Sequence, residues 1–173
     1  MTLPRCLLPV SFVVALGCDV ALLPEAATYE GTASPRLALR VAGDAMTDKK
    51  VQAVDVELVD VLVHRESDDA WVWIGGGTER VELGLALVET NLPVPLPADH
   101  YDAVRVVVDS PRVAHGGAWH NAELSADEIE MPLELDLDGD HALELHFDLR
   151  TSLAGSKAGK WKFAPSARAA VAP

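Results

Sequence analysis

From Arg36 onward, apolar and polar side chains alternate with period two, the pattern of half-buried strands. The longest such run, Val51 to His64, changes phase part-way. Val54, Val56 and Leu58 alternate with Asp55 and Glu57, and then Val59, Val61 and Val63 carry the apolar side on the other parity. Side chains on a strand alternate faces, so an uncorrected slip would turn the second half inside out. An extra residue at Leu58–Val59, a β-bulge, restores the inward phase and bends the strand.

Leu37, Leu39 and Val41 mark an opening strand, and Trp71-Val72-Trp73-Ile74 another, stopped by Gly75-Gly76-Gly77. Val81 and Leu83 make a short strand, and Leu85 to Thr90 is the one stretch that suits a helical turn. Pro93, Pro95 and Pro97 hold the next segment extended, since proline fixes φ. Tyr101 to Asp109 reads as a second central strand, with Val104, Val106 and Val108 opposite Arg105. Gly116-Gly117 turns the chain between Val113 and Trp119. Met131, Leu133, Leu135 and Leu137 precede Leu143, Leu145, Phe147 and Leu149, all on odd positions. As a hairpin they need a loop of odd length, and three residues are expected. Trp161 and Phe163 begin a last strand running past Pro165 to about Val171. The expected fold is an all-β, antiparallel β-sandwich of about seven to nine strands with at most one short helical turn; a closed barrel ranks second.

Charge and cysteines narrow the function. The chain has 27 acidic and 14 basic side chains among 173 residues, a net charge of -13, which disfavours nucleic acid as a partner. Its two cysteines, Cys6 and Cys18, both lie near the start, so the sandwich has no disulfide. Arg5, the apolar run to Leu16 and Ala15-Leu16-Gly17-Cys18 resemble a lipoprotein signal, too short to span a bilayer. The expected organisation is a signal peptide over 1–17, a lipid-bearing Cys18 with a flexible tether over 18–35, and the domain over 36–173. Extended, the tether reaches roughly 50 Å from the membrane. The location expected is the bacterial cell envelope, with the membrane bound through the N-terminal lipid.

The segments also carry an ordered set of short motifs. They include Gly43-Asp44-Ala45-Met46, Gln52-Ala53-Val54, Val56 to His64, Ala70-Trp71, Leu96-Pro97-Ala98-Asp99-His100-Tyr101, Phe147-Asp148-Leu149-Arg150-Thr151-Ser152 and Ala164-Pro165. In order and spacing they resemble domain-of-unknown-function family 4382, found on exported lipoproteins, over about Leu37 to Ala172. Met46 stands where the family has proline and Asp99 where it has glycine. The resemblance implies a fold and an exported location, and no activity.

Candidate chemistry is sparse. Asp136 to Asp140 lacks the twelfth-position glutamate of a calcium loop and reads as a polar tip. His64, His100, His115, His120, His141 and His146 include no HExxH pair; they read as solvated or edge histidines, although His115 and His120 can meet across the glycine turn. Asp148 and Arg150 read as a surface ion pair. No metal, cofactor or catalytic residue is expected. Trp71 and Trp73 share a face; Trp71 is expected in the core, but turned outward the pair would form, with Trp119, a platform for a sugar ring. The expectation is a binding or structural module for a glycan or an envelope protein; the alternative is a hydrolase or metal-dependent enzyme assembled from distant loops. A pocket gathering His100, His115 and His120 would favour the enzyme, a flat aromatic patch the binding module.

Overall fold

The computed structural model describes residues 34–46, 48–155 and 160–173. The signal peptide expected over 1–17, the lipid-bearing Cys18 and all but the last two residues of the tether expected over 18–35 lie outside the described residues. Two sheets face each other across one apolar core, an all-β sandwich.

The strands are β1 (Arg36–Gly43), β2 (Val51–Arg65), β3 (Ala70–Glu82), β4 (Val88–Glu89), β5 (Val94–Pro95), β6 (His100–His115), β7 (Ala118–Leu124) and β8 (Glu128–Asp136). After these come β9 (His141–Phe147), the helical turn α1 (Leu149–Ser152), β10 (Leu153–Gly155), β11 (Trp161–Phe163) and β12 (Ala167–Ala172). The five-stranded sheet runs β12-β9-β1-β4, with β5 also on β1. The seven-stranded sheet runs β10-β11-β7-β6-β2-β3, with β8 sharing the β6 edge with β7. Eight strands have six or more residues; the other four are pieces of two or three. The pairing is not antiparallel throughout, because β1 lies parallel to β9 and β11 parallel to β7.

The bulge in β2 falls where the phase change requires it. Leu58 pairs with Val108 and Asp60 with Val107, leaving Val59 as the extra residue. Val54, Val56, Leu58, Val61 and Val63 are consequently all buried. The neighbour β3 matches the irregularity: its register jumps from Glu79 to Gly76 across the same point. Gly75-Gly76-Gly77 therefore does not stop the strand. Gly76, Gly77 and Thr78 have φ of 108°, 94° and 68°, which lets β3 curve past Val59 and continue to Glu82.

Three further expectations are corrected. β8 and β9 form no hairpin, because β8 pairs with β6 and β9 with β1 and β12 in the opposite sheet. Their odd-numbered leucines meet across the core, so shared parity reflects two facing sheets and not one ladder. The stretch from Trp161 to Val171 is two strands, since β11 belongs to one sheet and β12 to the other. Leu85–Thr90 is not helical: Val88 and Glu89 pair with Val41 and Arg40, and the Thr90 N–H donates to the Leu39 carbonyl.

The helical turn sits at Leu149–Ser152 because Asp148 caps it, accepting from the backbone N–H groups of Arg150 (3.0 Å) and Thr151 (3.3 Å). Asp148 is thus a cap and not the ion-pair partner of the Arg150 side chain, whose Nε donates to the Ala45 carbonyl. Burial opposes its ionisation, but the bonds from Thr151 and Arg150 prevail and lower its pKa. Ser152, which is buried, accepts from the Ser166 N–H at 2.9 Å and fixes the crossing from β11 to β12.

Candidate functional site: the outer face of the seven-stranded sheet

Val72 packs on the core and Ile74 is buried in it, so alternation sends Trp71 and Trp73 to the outer face of β3. Trp71 is therefore not a core residue: the inward phase of its strand is already taken. It is half-buried by its neighbours on that face. The Arg105 guanidinium lies 4.1 Å from its ring centroid, and the His64 ring is tilted against it at 5.0 Å. Arg105 is held in turn by Glu128 (3.2 Å) and Glu130 (2.9 Å). Trp73 is more open, at 49% exposure, and its Nε1–H donates to Asp60 at 3.1 Å. That bond fixes the rotation of an exposed ring.

Trp119 occupies the same face at the other end. It pairs with Ala114 on β6, which pairs with Ala53 on β2, whereas Trp73 pairs with Leu62. The nine-residue step from Ala53 to Leu62 corresponds to roughly 30 Å along the strands. The face brings Trp71 and Trp73 together and leaves Trp119 apart.

Beside Trp119 is a group of charges that sequence reasoning missed. Asp55, 5% exposed, points outward from β2 between core valines. It accepts from Arg112 through Nε (3.0 Å) and Nη2 (2.6 Å) and from Arg80 at 2.7 Å. Arg80 also donates to Glu57 and to the Ser110 carbonyl. The bond to Asp55 raises the pKa of Arg112, whose guanidinium lies 5.0 Å from the Trp119 ring centroid. A cleft of about 410 Å³, lined by Arg80, Ser110, Pro111, Arg112, Asn121 and Ala122, opens here. Ser110 adopts φ 46° at its rim. In sequence, Asp55 is one more polar position in an alternating run; only the register across three strands shows that two arginines converge on it.

The histidines are dispersed. His64 lies between the carboxylates of Asp102 (Nδ1, 2.7 Å) and Asp69 (Nε2, 3.0 Å), which accept from its ring N–H groups, and His100 lies 2.8 Å from Asp136. The bond to Asp102 raises the His64 pKa above 6.5, and the bond to Asp136 does the same for His100. Asp99 accepts from Ser67 and from the His100 N–H; the Ser67 bond lowers its pKa. His115 and His120 do meet across the Gly116-Gly117 turn, 6.3 Å between rings, with His115 packed on Trp161 at 5.3 Å. His100 is at the far end of β6 from them. Neither the cleft at Arg80 and Arg112 nor those at Lys49–Leu85 and Arg36–His141 includes His100, His115 or His120. Among the described residues, no three His, Cys, Asp or Glu are grouped to hold a metal ion.

The family motifs occupy this frame. Val56 to His64 is the bulged strand, Tyr101 is buried with its hydroxyl donating to the Pro97 carbonyl, and Phe147 to Ser152 forms the capped turn. A sequence model of the family described as "Domain of unknown function (DUF4382)" matches residues 42–165. The chain belongs to this family. No curated protein and no solved structure matches it. In this member the DUF4382 motifs account for strand geometry, capping and sheet crossing. The outward tryptophans and the Asp55 network lie on the face those motifs build.

Proposed function

We propose that the protein is an envelope lipoprotein, anchored through Cys18, whose β-sandwich is a non-catalytic module that binds a glycan on the outer face of its seven-stranded sheet. The observation carrying this reading is Trp73: an indole, half exposed, held in one orientation by Asp60 on the outer face of β3. An aromatic ring presented in this way stacks on the apolar face of a sugar, and its fixed rotamer lowers the ordering cost of binding. Asp60 bonds its ring nitrogen, and across the same row of the sheet, beyond Leu62, Arg105 and Glu130 add a donor and an acceptor for hydroxyl groups.

The test is retention of the protein on insoluble envelope polysaccharide, comparing wild type with Trp73→Ala. Retention of the wild type and release of the variant support the reading; equal retention of both removes it. Anchoring is tested separately by metabolic labelling with an alkyne fatty acid, which Cys18→Ser should abolish. Undiminished labelling would refute the anchor.

A further inference from the structure

We infer that the ligand of this face is an extended, neutral polysaccharide chain running from Trp73 to Trp119, and not a short oligosaccharide held at Trp73 alone. The inference rests on the glycan reading above and specifies its ligand. Trp73 and Trp119 are 49% and 48% exposed and stand on the same side of the same sheet. Each is held by a polar neighbour: Trp73 by Asp60, and Trp119 against Arg112, which Asp55 clamps with two hydrogen bonds. Both rings are prepositioned, so neither needs ordering when a sugar arrives.

Their separation of roughly 30 Å along the strands excludes one sugar ring touching both. A chain of several rings spans it. Between the two stations the face carries the acceptors Asp60 and Glu57 and then the donors Arg80 and Arg112, polar partners for a line of hydroxyl groups. Near Trp119 the cleft of about 410 Å³ at Arg80, Ser110 and Asn121 gives the chain a recess. Its rim carries the strained Ser110, a conformation that folds retain at sites of use. Within this track two arginines are offset by Asp55, Glu57 and Asp60, and the whole chain has a charge of -13, so a polyanion is repelled and a neutral polymer is not. Two weak stacking contacts on one polymer reinforce each other, because engaging the first raises the local concentration of the second.

The experiment is affinity electrophoresis of the full chain in native gels carrying soluble xylan, laminarin or hydroxyethylcellulose, with competition by the matching disaccharides and longer oligosaccharides. The expected result is retardation of the wild type by at least one polymer. Trp73→Ala and Trp119→Ala should each weaken it about tenfold, the double variant should abolish it, and competition should strengthen steeply with chain length. Trp119→Phe should restore binding, and unchanged urea midpoints show that the variants are folded. Loss with Trp73→Ala but not with Trp119→Ala, or equal competition by disaccharide and longer oligosaccharide, overturns the extended track and leaves the glycan reading intact. No retardation of the wild type by any of the three polymers overturns both.

Discussion

Replacing Gly76 with alanine isolates the device that lets β3 follow the bulge in β2. Gly76 has φ 108°, and a Cβ there would lie 2.5 Å from the Val59 carbonyl oxygen, 2.7 Å from its carbon and 2.9 Å from the Asp60 Cα. All three are backbone atoms of a central strand, so no side-chain rotation relieves the overlap. Backbone strain for a residue with a Cβ contributes about 1–3 kcal/mol. The overlap adds a similar amount, about 1–3 kcal/mol. The expected loss for Gly76→Ala is therefore about 4 kcal/mol, a large share of the stability of an ordinary domain. Gly77 is the internal control: its φ is 94°, but nothing lies within 4 Å of an added Cβ. Gly77→Ala should suffer strain alone, about 1–2 kcal/mol. In urea, at a slope of about 2 kcal/mol per M, the midpoints should fall by roughly 2 M and by less than about 1 M. Equal midpoints for the two variants, or a loss under about 1 kcal/mol for Gly76→Ala, would refute the claim that close approach to Val59 makes this glycine necessary.

Asp55→Ala leaves Arg80 and Arg112 without their shared acceptor and should destabilise by about 2–4 kcal/mol, against less than about 1 kcal/mol for Glu130→Ala in the exposed pair with Arg105. Denaturant midpoints measure both, and an Asp55→Ala loss no larger than that of Glu130→Ala would show the network to be energetically idle. The His64–Asp102 contact should stabilise the fold only over a bounded pH range. His64 is raised above 6.5, so its contribution is complete below pH 6.5 and fades as pH rises through the folded-state value. The His64 bond lowers Asp102 below 3.8, so that contribution is present above pH 3.8 and disappears as pH falls through the folded-state value. NMR titration of the imidazole should show the His64 midpoint dropping in Asp102→Asn; an unmoved midpoint would mean that the carboxylate does not set it.

Local chemistry alone determined much of this protein. Period-two patterning assigns β1, β2, the first half of β3, β6 as far as Asp109, β8 and β9, because burial of alternate side chains is a property of each strand and needs no partner to be read. The β2 bulge is legible for the same reason: Leu58 and Val61, an odd number of residues apart, cannot both point inward without an extra residue between Leu58 and Asp60, and that residue is Val59, which the sequence placed on the inward side. Partner choice is not local. Leucines on β8 and β9 have one parity whether the strands pair in a hairpin or face each other from two sheets, and only tertiary structure separates the cases. The same holds for Trp71, whose outward turn depends on Ile74 claiming the core, and for Asp55, whose two arginines arrive from β3 and β6 through long-range register. Alternation along a chain says which residues share a side; which strands lie beside them, and so which side chains meet on the outer face, is decided by packing the two sheets together.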